Sequence, residues 1–586
     1  MLGLRLPRAG NANIYYRMRA KAVFRIRFIT GVILLVTLVL IGRLYDIQIR
    51  KGSAYEARAE EQYVHTVEDL FDRGDIYFSP KTGESFAAAS MQPGFVLAIN
   101  PTHIESPEEV YGSLTEIIEL DREDFIERAN KKDRVYQEIH ARLTEEEADQ
   151  VDALDLSGVQ LYRTQWRAYG GGALAARTIG FIGYDGDNLT GIYGLERYYD
   201  DVLSRSNKRL SVNFFAEIFG NIGDVTTDKK PKRDGDIVTS IEPTVAQMLD
   251  QTLQKTQDEW SSTLTGGIIM HPKSGEIYAL NVIPTFDLNN RTGVDIGTFG
   301  NPLVESVYEM GSIIKPLTVA AGLDAGVITP YSTYYDAGCV EQNEFTFCNY
   351  DLRARGTVSM QEVLNQSLNT GVAHVVAQMG KERFRDYFLS LKLGSETGID
   401  LPGEVHGLVD NLQSPRDIEY ATASFGQGIA MTPIETVRAL ATLANGGVLV
   451  TPHIAKEVHY ETGETHEIGY PDGDRIFSEE TSESITRMLV TVVDDALVGG
   501  EVALPHYAVA AKTGTAQIAD PENGGYYEDR YLHSFFGYFP AYDPEFLIFL
   551  YTVEPKEVRY ASETLTKPFF ELTKFLINYY DIPPDR

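Results

Sequence analysis

Ser312 and Lys315 stand three residues apart in Glu309-Met-Gly-Ser-Ile-Ile-Lys-Pro-Leu-Thr318, just ahead of the apolar run Val319–Leu323. If a helix begins here, residues at this spacing share a face and the Lys315 amine can reach the Ser312 hydroxyl. A lysine held neutral in a water-poor cleft can take the serine's proton. Ser312 is therefore a candidate nucleophile and Lys315 its candidate base. The helix N-terminus adds favourable potential where negative charge develops. An ordinary helix start, with a capping serine and a solvated lysine, fits the same residues. This is the single Ser-x-x-Lys of the chain, so its meaning depends on what lies downstream.

Downstream lie Ser367-Leu-Asn369, inside Leu364–Gly371, and Lys512-Thr-Gly-Thr515, at the end of the apolar run Tyr507–Ala511. Acylation needs a nucleophile, a proton acceptor, a group that returns the proton to the leaving amine, and donors for the oxyanion. Ser367 can relay the proton between Lys315 and the leaving group. The Asn369 amide can hold a peptide by both donor and acceptor. Lys512 adds positive charge, which disfavours protonation of Lys315 and attracts an anionic substrate. Thr513 and Thr515 offer hydroxyls to a terminal carboxylate, and Gly514 leaves room for a substrate along the strand. Decoys exist: Lys81-Thr-Gly83, Lys273-Ser-Gly275 and Ser211-Val-Asn213. All three precede Ser312, and the first two fall in turns, whereas Lys512 ends a strand-like run. Alone, Lys512 could be an edge-strand lysine that discourages aggregation.

The ordered set Ser-x-x-Lys, Ser-x-Asn and Lys-Thr-Gly resembles the penicillin-binding protein and serine β-lactamase superfamily. Arg43–Ile49, Arg73-Gly74, Gly191-x-x-Gly194-Leu-Glu196, Asp400-Leu-Pro-Gly-Glu404, Phe425-Gly-Gln-Gly428 with Thr432-Pro433, and His533-Ser-Phe535 look like landmarks of class B penicillin-binding proteins. The resemblance spans about residues 25–580 and implies a D,D-transpeptidase that cross-links peptidoglycan stem peptides through an acyl-enzyme on Ser312. It implies that penicillin and other β-lactams trap Ser312, and that the backbone N–H groups of Ser312 and Thr515 form the oxyanion hole. No metal or cofactor is needed. It also implies work beside a multi-span membrane glycosyltransferase and other division or elongation proteins, with a mild lean toward division. A D,D-carboxypeptidase or β-lactamase, and a non-catalytic β-lactam-binding scaffold, are the rival readings. Two features depart from the pattern: Phe78–Gly83 replaces the usual turn after Arg73-Gly74, and Cys339 with Cys348 has no counterpart. Gly426, Gly428 and His533 read as support for the site at best, His533 equally as a core histidine.

The elements that must position these residues are α+β. Ile237–Ile241 reads as a strand and Pro243–Trp260 as a helix with proline at its start. Gly266–Met270 and Glu276–Leu280 read as a hairpin, residues 312 to about 450 as mainly helical, and Tyr507–Lys512, His533–Phe539 and Glu545–Val553 as strands. A last helix covers Thr564–Tyr580. Strands at both ends around a helical middle predict one antiparallel sheet built from distant segments, with a helical subdomain. Upstream, Gly94–Ile99 reads as a strand, Glu108–Leu120 and Leu143–Leu154 as helices. The second of these enters through a Thr144/Glu147 capping box. Residues 47–230 group nothing suited to catalysis, and the expected organisation is a basic tail (1–27), an anchor (28–46), a non-catalytic pedestal or dimerisation domain (47–235) and a transpeptidase domain (236–586).

At 586 residues the chain has room for two or more domains, and 43% hydrophobic with 23% charged residues is a folded composition. A net charge of −32 argues against nucleic acid, whose phosphates it would repel. Residues 1–27 carry seven basic side chains and no acid, leaving the rest at −39. The uncharged run Phe28–Ile41 after that tail predicts a single-pass anchor, with the N-terminus cytoplasmic and the catalytic domain outside a bacterial cell membrane. A cleaved signal peptide is the rival, though no small-x-small site directly follows the run. Cys339 and Cys348 could pair across a hairpin of Tyr334–Val340 and Glu344–Tyr350, or stay free thiols.

Overall fold

The computed structural model describes residues 37–38, 72–186, 188–205, 234–471 and 473–586. The basic tail, the 28–46 segment apart from 37 and 38, the first part of the expected pedestal (47–71) and the Ser211-Val-Asn213 decoy lie outside them. Among the described residues no helix is long and apolar enough to cross a membrane.

Two compact units result, Pro93–Trp166 and the combination of Phe71–Gln92 with Arg167–Arg586. In the first, Phe95–Ile99 pairs antiparallel with Gln137–Leu143, and helices Pro107–Leu114, Arg122–Ala129 and Glu145–Asp152 close a core of Leu97, Ile99, Leu114, Phe125, Leu143 and Val151. The Thr144/Glu147 capping box is present. The Pro107 helix stops at Leu114 rather than Leu120, capped by Thr115, whose N–H and hydroxyl both donate to the Tyr111 carbonyl (3.0 Å each).

In the second unit, Ile76–Phe78 pairs parallel with Gly235–Thr239, which pairs antiparallel with Ala455–Tyr460. A buried ionic knot sits beside them. Arg73 Nε donates to Glu196 (2.5 Å), Arg73 Nη1 to Asp200 (2.7 Å) and Arg167 Nε to the other Glu196 oxygen (2.7 Å). Sharing one carboxylate between two guanidinium groups offsets the cost of burying all three charges.

The rest of this unit follows as expected in outline. Helix α1 (Pro243–Trp260) opens with proline in its first turn and a Glu242 cap on Val245 N–H. Strands β1 (Leu264–Met270) and β2 (Ile277–Ile283) form the hairpin. A 3-10 turn, Gly311–Ile314, leads into α2 (Lys315–Asp324). Next come β3 (Cys339–Gln342), β4 (Phe345–Cys348), α3 (Asn369–Met379) and α4 (Glu479–Thr491). Strands β5 (Ala510–Ala519), β6 (Tyr526–Phe539) and β7 (Phe546–Val553) and helix α5 (Thr566–Tyr580) complete it. The sheet order is β5-β6-β7-β1-β2, antiparallel throughout. Its central strands are apolar on both sides because both faces are covered. Phe535 stacks on Phe569 of α5 (4.5 Å), and on the opposite face the Tyr538 hydroxyl meets Thr486 of α4 (2.8 Å).

Two strand expectations need correction. The Lys512 strand does not end at Lys512 but runs on to Ala519, since Thr513, Thr515 and Gln517 alternate along one face and β-branched threonine suits a pleat. The cysteine hairpin is only Cys339–Gln342 with Phe345–Cys348, while Thr333–Asp336 pairs with Gly356–Ser359 instead.

Candidate active site

A cleft of about 720 Å³ opens beside β5 and is lined by Ser312, Ser367, Asn369, Lys512, Thr513 and Thr515. The three motifs, up to 200 residues apart, thus reach one place, and Lys315 lies fully buried next to Ser367.

Glycines set how closely the parts approach. Gly311 has φ +63°, and a Cβ there would sit 2.7 Å from the Thr515 carbonyl oxygen. Gly426 (φ +79°) lies against the Gly311 backbone from the other side and accepts its N–H (3.2 Å). The Ser312 turn is therefore held between β5 and the Phe425–Gly428 loop, backbone to backbone. Gly514 completes the contact: a Cβ on it would fall 2.3 Å from Ser534 Oγ and 2.8 Å from the Met310 carbonyl oxygen.

Ser367 is the hub. It holds a left-handed conformation (φ +53°) that non-glycine residues rarely adopt. Lys315 Nζ donates to its carbonyl (2.5 Å) and its hydroxyl (3.1 Å), and Lys512 Nζ donates to the same hydroxyl (3.1 Å) and to the Thr513 carbonyl (3.0 Å). The hydrogen bonds of Lys315 go to Ser367 and not to Ser312, so the direct contact suggested by the spacing is replaced by one through the second motif. Ser312 itself is half-buried and faces the cleft.

Burial pushes the Lys315 amine well below the usual lysine range, and the charge of Lys512 pushes it further the same way. Burial is thus the larger cause, ahead of the like-charge repulsion inferred from sequence. Burial also brings Lys512 down to about 7. Two buried lysines with lowered proton affinity, joined through one serine hydroxyl, are suited to moving a proton between a nucleophile and a leaving amine.

Asn369 begins α3 and donates through Nδ2 to the Cys348 carbonyl (2.8 Å), which leaves its second N–H and its carbonyl oxygen for a ligand. Thr515 Oγ1 accepts from the Ala561 N–H (3.1 Å). The sequence suggested a hairpin at Cys339 and Cys348 but not that it forms the opposite wall. Cys339 and Cys348 are disulfide-bonded, and Phe347, Asn349 and Tyr350 line the cleft. Asp336 anchors this wall: its carboxylate takes both Asn349 Nδ2 contacts (2.9 and 3.0 Å), the Thr370 hydroxyl (2.7 Å) and the Arg355 N–H (3.0 Å). Only the cysteines themselves signalled this wall in sequence; the Asp336 network joins residues up to 34 apart.

Lys81 binds the Tyr579 carbonyl and Lys273 pairs with Asp543, both decoys serving surface contacts. His533 is buried, and its place is taken up below. Among the described residues no cluster of His, Cys, Asp or Glu side chains is arranged to hold a metal.

An antiparallel sheet carrying a Lys-Thr-Gly edge strand, against which a helical subdomain presents Ser-x-x-Lys and Ser-x-Asn, defines a serine acyl-transfer protein. The penicillin-binding protein transpeptidase domain model matches residues 265–572, and the penicillin-binding protein dimerisation domain model matches residues 72–239. The chain is 30% identical over 560 residues to Stage V sporulation protein D of Bacillus subtilis, covering 94% of this chain and 84% of that protein. It is 25% identical over 593 residues to the peptidoglycan D,D-transpeptidase FtsI of Buchnera aphidicola, covering 98% and 99%. Penicillin binding protein 3 of Mycobacterium tuberculosis, complexed with aztreonam, superposes with a TM-score of 0.63 at 26% identity over 72% of this chain and 92% of that one. Penicillin Binding Protein 2X of Streptococcus thermophilus shares the fold, with a TM-score of 0.71 at 20% identity over 88% and 81%. The chain belongs to the penicillin-binding protein transpeptidase family.

Proposed function

We propose that the protein is a serine-type peptidoglycan D,D-transpeptidase of cell wall synthesis and cell division, and a target of β-lactams. The observation that carries this is the Ser367 hydroxyl held at 3.1 Å from each of two buried lysines in the cleft that Ser312 lines. In the acylation step Ser312 Oγ forms a bond to the penultimate D-alanine carbonyl carbon, and the bond from that carbon to the terminal D-alanine nitrogen breaks. The serine proton passes to Lys315 and through Ser367 to the departing amine. An amine of a neighbouring strand then attacks the ester, takes the acyl group and returns Ser312 to its free form. Asn369 holds the peptide, while Lys512, Thr513 and Thr515 hold the terminal carboxylate and Gly514 gives the peptide room beside β5. The backbone N–H groups of Ser312 and Thr515 stabilise the oxyanion.

In this reading residues 1–27 are a cytoplasmic tail, 28–46 a membrane anchor, 47–235 a pedestal and 236–586 the catalytic domain, outside the cell membrane. The partner is a multi-span glycosyltransferase, met through the anchor and pedestal. The test is fluorescent penicillin labelling of the full-length protein in detergent, beside Ser312→Ala and Lys315→Ala, with peptide mapping. A stable adduct on the Ser312 peptide, lost in both variants, is the expected result. An adduct that hydrolyses within seconds would make the protein a β-lactamase, and no adduct on folded protein would make it a scaffold.

A further inference from the structure

His533 is fully buried on β6, directly across from Thr515 on β5, so the two side chains share a face of the sheet. Its ring makes two bonds, Nε2 to the Arg559 carbonyl (3.0 Å) and Nδ1 to Thr564 Oγ1 (3.0 Å). A carbonyl can only accept, so Nε2 carries the hydrogen; Nδ1 meets the Thr564 hydroxyl, whose single hydrogen also has the Ala561 carbonyl within reach (3.3 Å). Burial lowers the imidazole to about 4, in keeping with a neutral ring at neutral pH. The segment held by these bonds is part of the cleft: Arg559, Tyr560 and Ala561 all line it.

The same segment touches the Lys-Thr-Gly strand at one polar point. Ala561 N–H donates to Thr515 Oγ1 (3.1 Å). A hydroxyl whose lone pair is engaged by a fixed amide has fewer directions for its own hydrogen, and Thr515 lines the cleft. Arg559 is two residues before Ala561 and Thr564 three after it. The two bonds of His533 therefore bracket the amide that orients Thr515.

We propose that His533 is a positioning residue for carboxylate recognition, locking the Arg559–Thr564 segment so that the Ala561 amide aims the Thr515 hydroxyl at the terminal carboxylate of the substrate. This rests on the reading of Thr515 given above. A histidine that merely fills the core would support every ligand alike. A histidine acting through Thr515 supports ligands in proportion to their use of the carboxylate.

The experiment compares acylation rates of the full-length protein by benzylpenicillin and by its carboxylate methyl ester, followed by intact mass. Thr515→Val is expected to lower the penicillin-to-ester rate ratio by about tenfold, the loss of one hydrogen bond to a charged group. His533→Leu is expected to lower the ratio by a similar factor, and His533→Leu/Thr515→Val by no more than Thr515→Val alone. His533→Gln, whose amide N–H reaches the Arg559 carbonyl, should restore most of the ratio. Equal slowing of both ligands by His533→Leu, or multiplicative losses in the double variant, overturns the proposal. An unchanged ratio in Thr515→Val overturns the Thr515 reading itself, a separate outcome. Should His533→Leu fail to fold, His533→Gln against His533→Asn carries the test: Gln keeps the ratio and Asn loses it, and equal ratios in both overturn the proposal.

Discussion

The two walls of the cleft are built on opposite plans. One is β5, the edge of a five-stranded sheet whose inner strands are buried on both faces by α4 and α5. The other is the β3–β4 ribbon, two four-residue strands with Val340 and Phe345 exposed, joined by one disulfide and tied down by Asp336. A ribbon of that size cannot bury enough apolar area to stand alone, so covalent and polar ties replace packing. The packed wall carries Lys512, Thr513 and Thr515 and fixes the Ser312 turn that lies against it, and the stapled wall carries shape. If that division is right, damage to the β5 wall should abolish chemistry, while damage to the ribbon should cost stability first and rate second.

The largest effect is expected from Gly514→Ala, where the new Cβ meets Ser534 Oγ and the Met310 carbonyl. Displacing the Ser312 turn from β5 should slow penicillin labelling by about a hundredfold or more, measured against time on folded protein. Labelling within threefold of the parent would show that the packed wall is more tolerant than its contacts imply.

The pH profile comes next, because the β5 wall titrates. Acylation should rise with pH, about tenfold per unit while Lys315 is still being deprotonated, since only the neutral amine can accept the serine's proton. It should fall again as pH passes about 7 and Lys512 loses the charge that attracts the carboxylate. Lys512→Arg, which stays charged, should remove the alkaline fall while keeping the acid limb. An alkaline limb that persists in Lys512→Arg would assign it to another group.

On the ribbon side, Asp336→Ala leaves Asn349, Thr370 and the Arg355 amide without their shared acceptor. It should lower unfolding stability by about 2–4 kcal/mol in a denaturant titration, with labelling slowed only severalfold. The smallest effect on labelling belongs to Cys339→Ser/Cys348→Ser, expected to cost about 2–3 kcal/mol of stability for a loop this short. Its labelling rate should stay within about twofold of the parent. A loss comparable to that of Gly514→Ala would falsify the division between the walls.

The catalytic motifs were legible in the sequence, and the ribbon only as a cysteine hairpin with no place in the site, for a physical reason. Ser312, Lys315, Ser367, Asn369 and Lys512–Thr515 are marked by residue type at short spacing, and short spacing survives any fold. The antiparallel sheet of distant strands could likewise be read from strands at both ends of a helical middle, as could α1 to the residue. Partners such as Asp336 with Thr370, or His533 with Arg559, are ordinary residues made special only by packing across the chain. The extent of β5 was underestimated because Thr513, Thr515 and Gln517 look like a polar exit from an apolar run, when in fact they face the cleft. The disulfide stood open between two readings, since nine residues of separation permits a staple without requiring one.

The backbone contacts among Gly311, Gly426 and Gly514 also bear on how such a protein can evolve under a drug. At each of the three, any side chain would strike a backbone oxygen of the neighbouring element, and at two of them φ is positive as well. A substitution there would take the same geometry from a β-lactam as from the natural peptide, so it offers no selective escape. Variation has to accumulate instead on the ribbon and on the segment around Arg559 and Tyr560, where side chains shape the cleft without setting the distance between Ser312 and its strand.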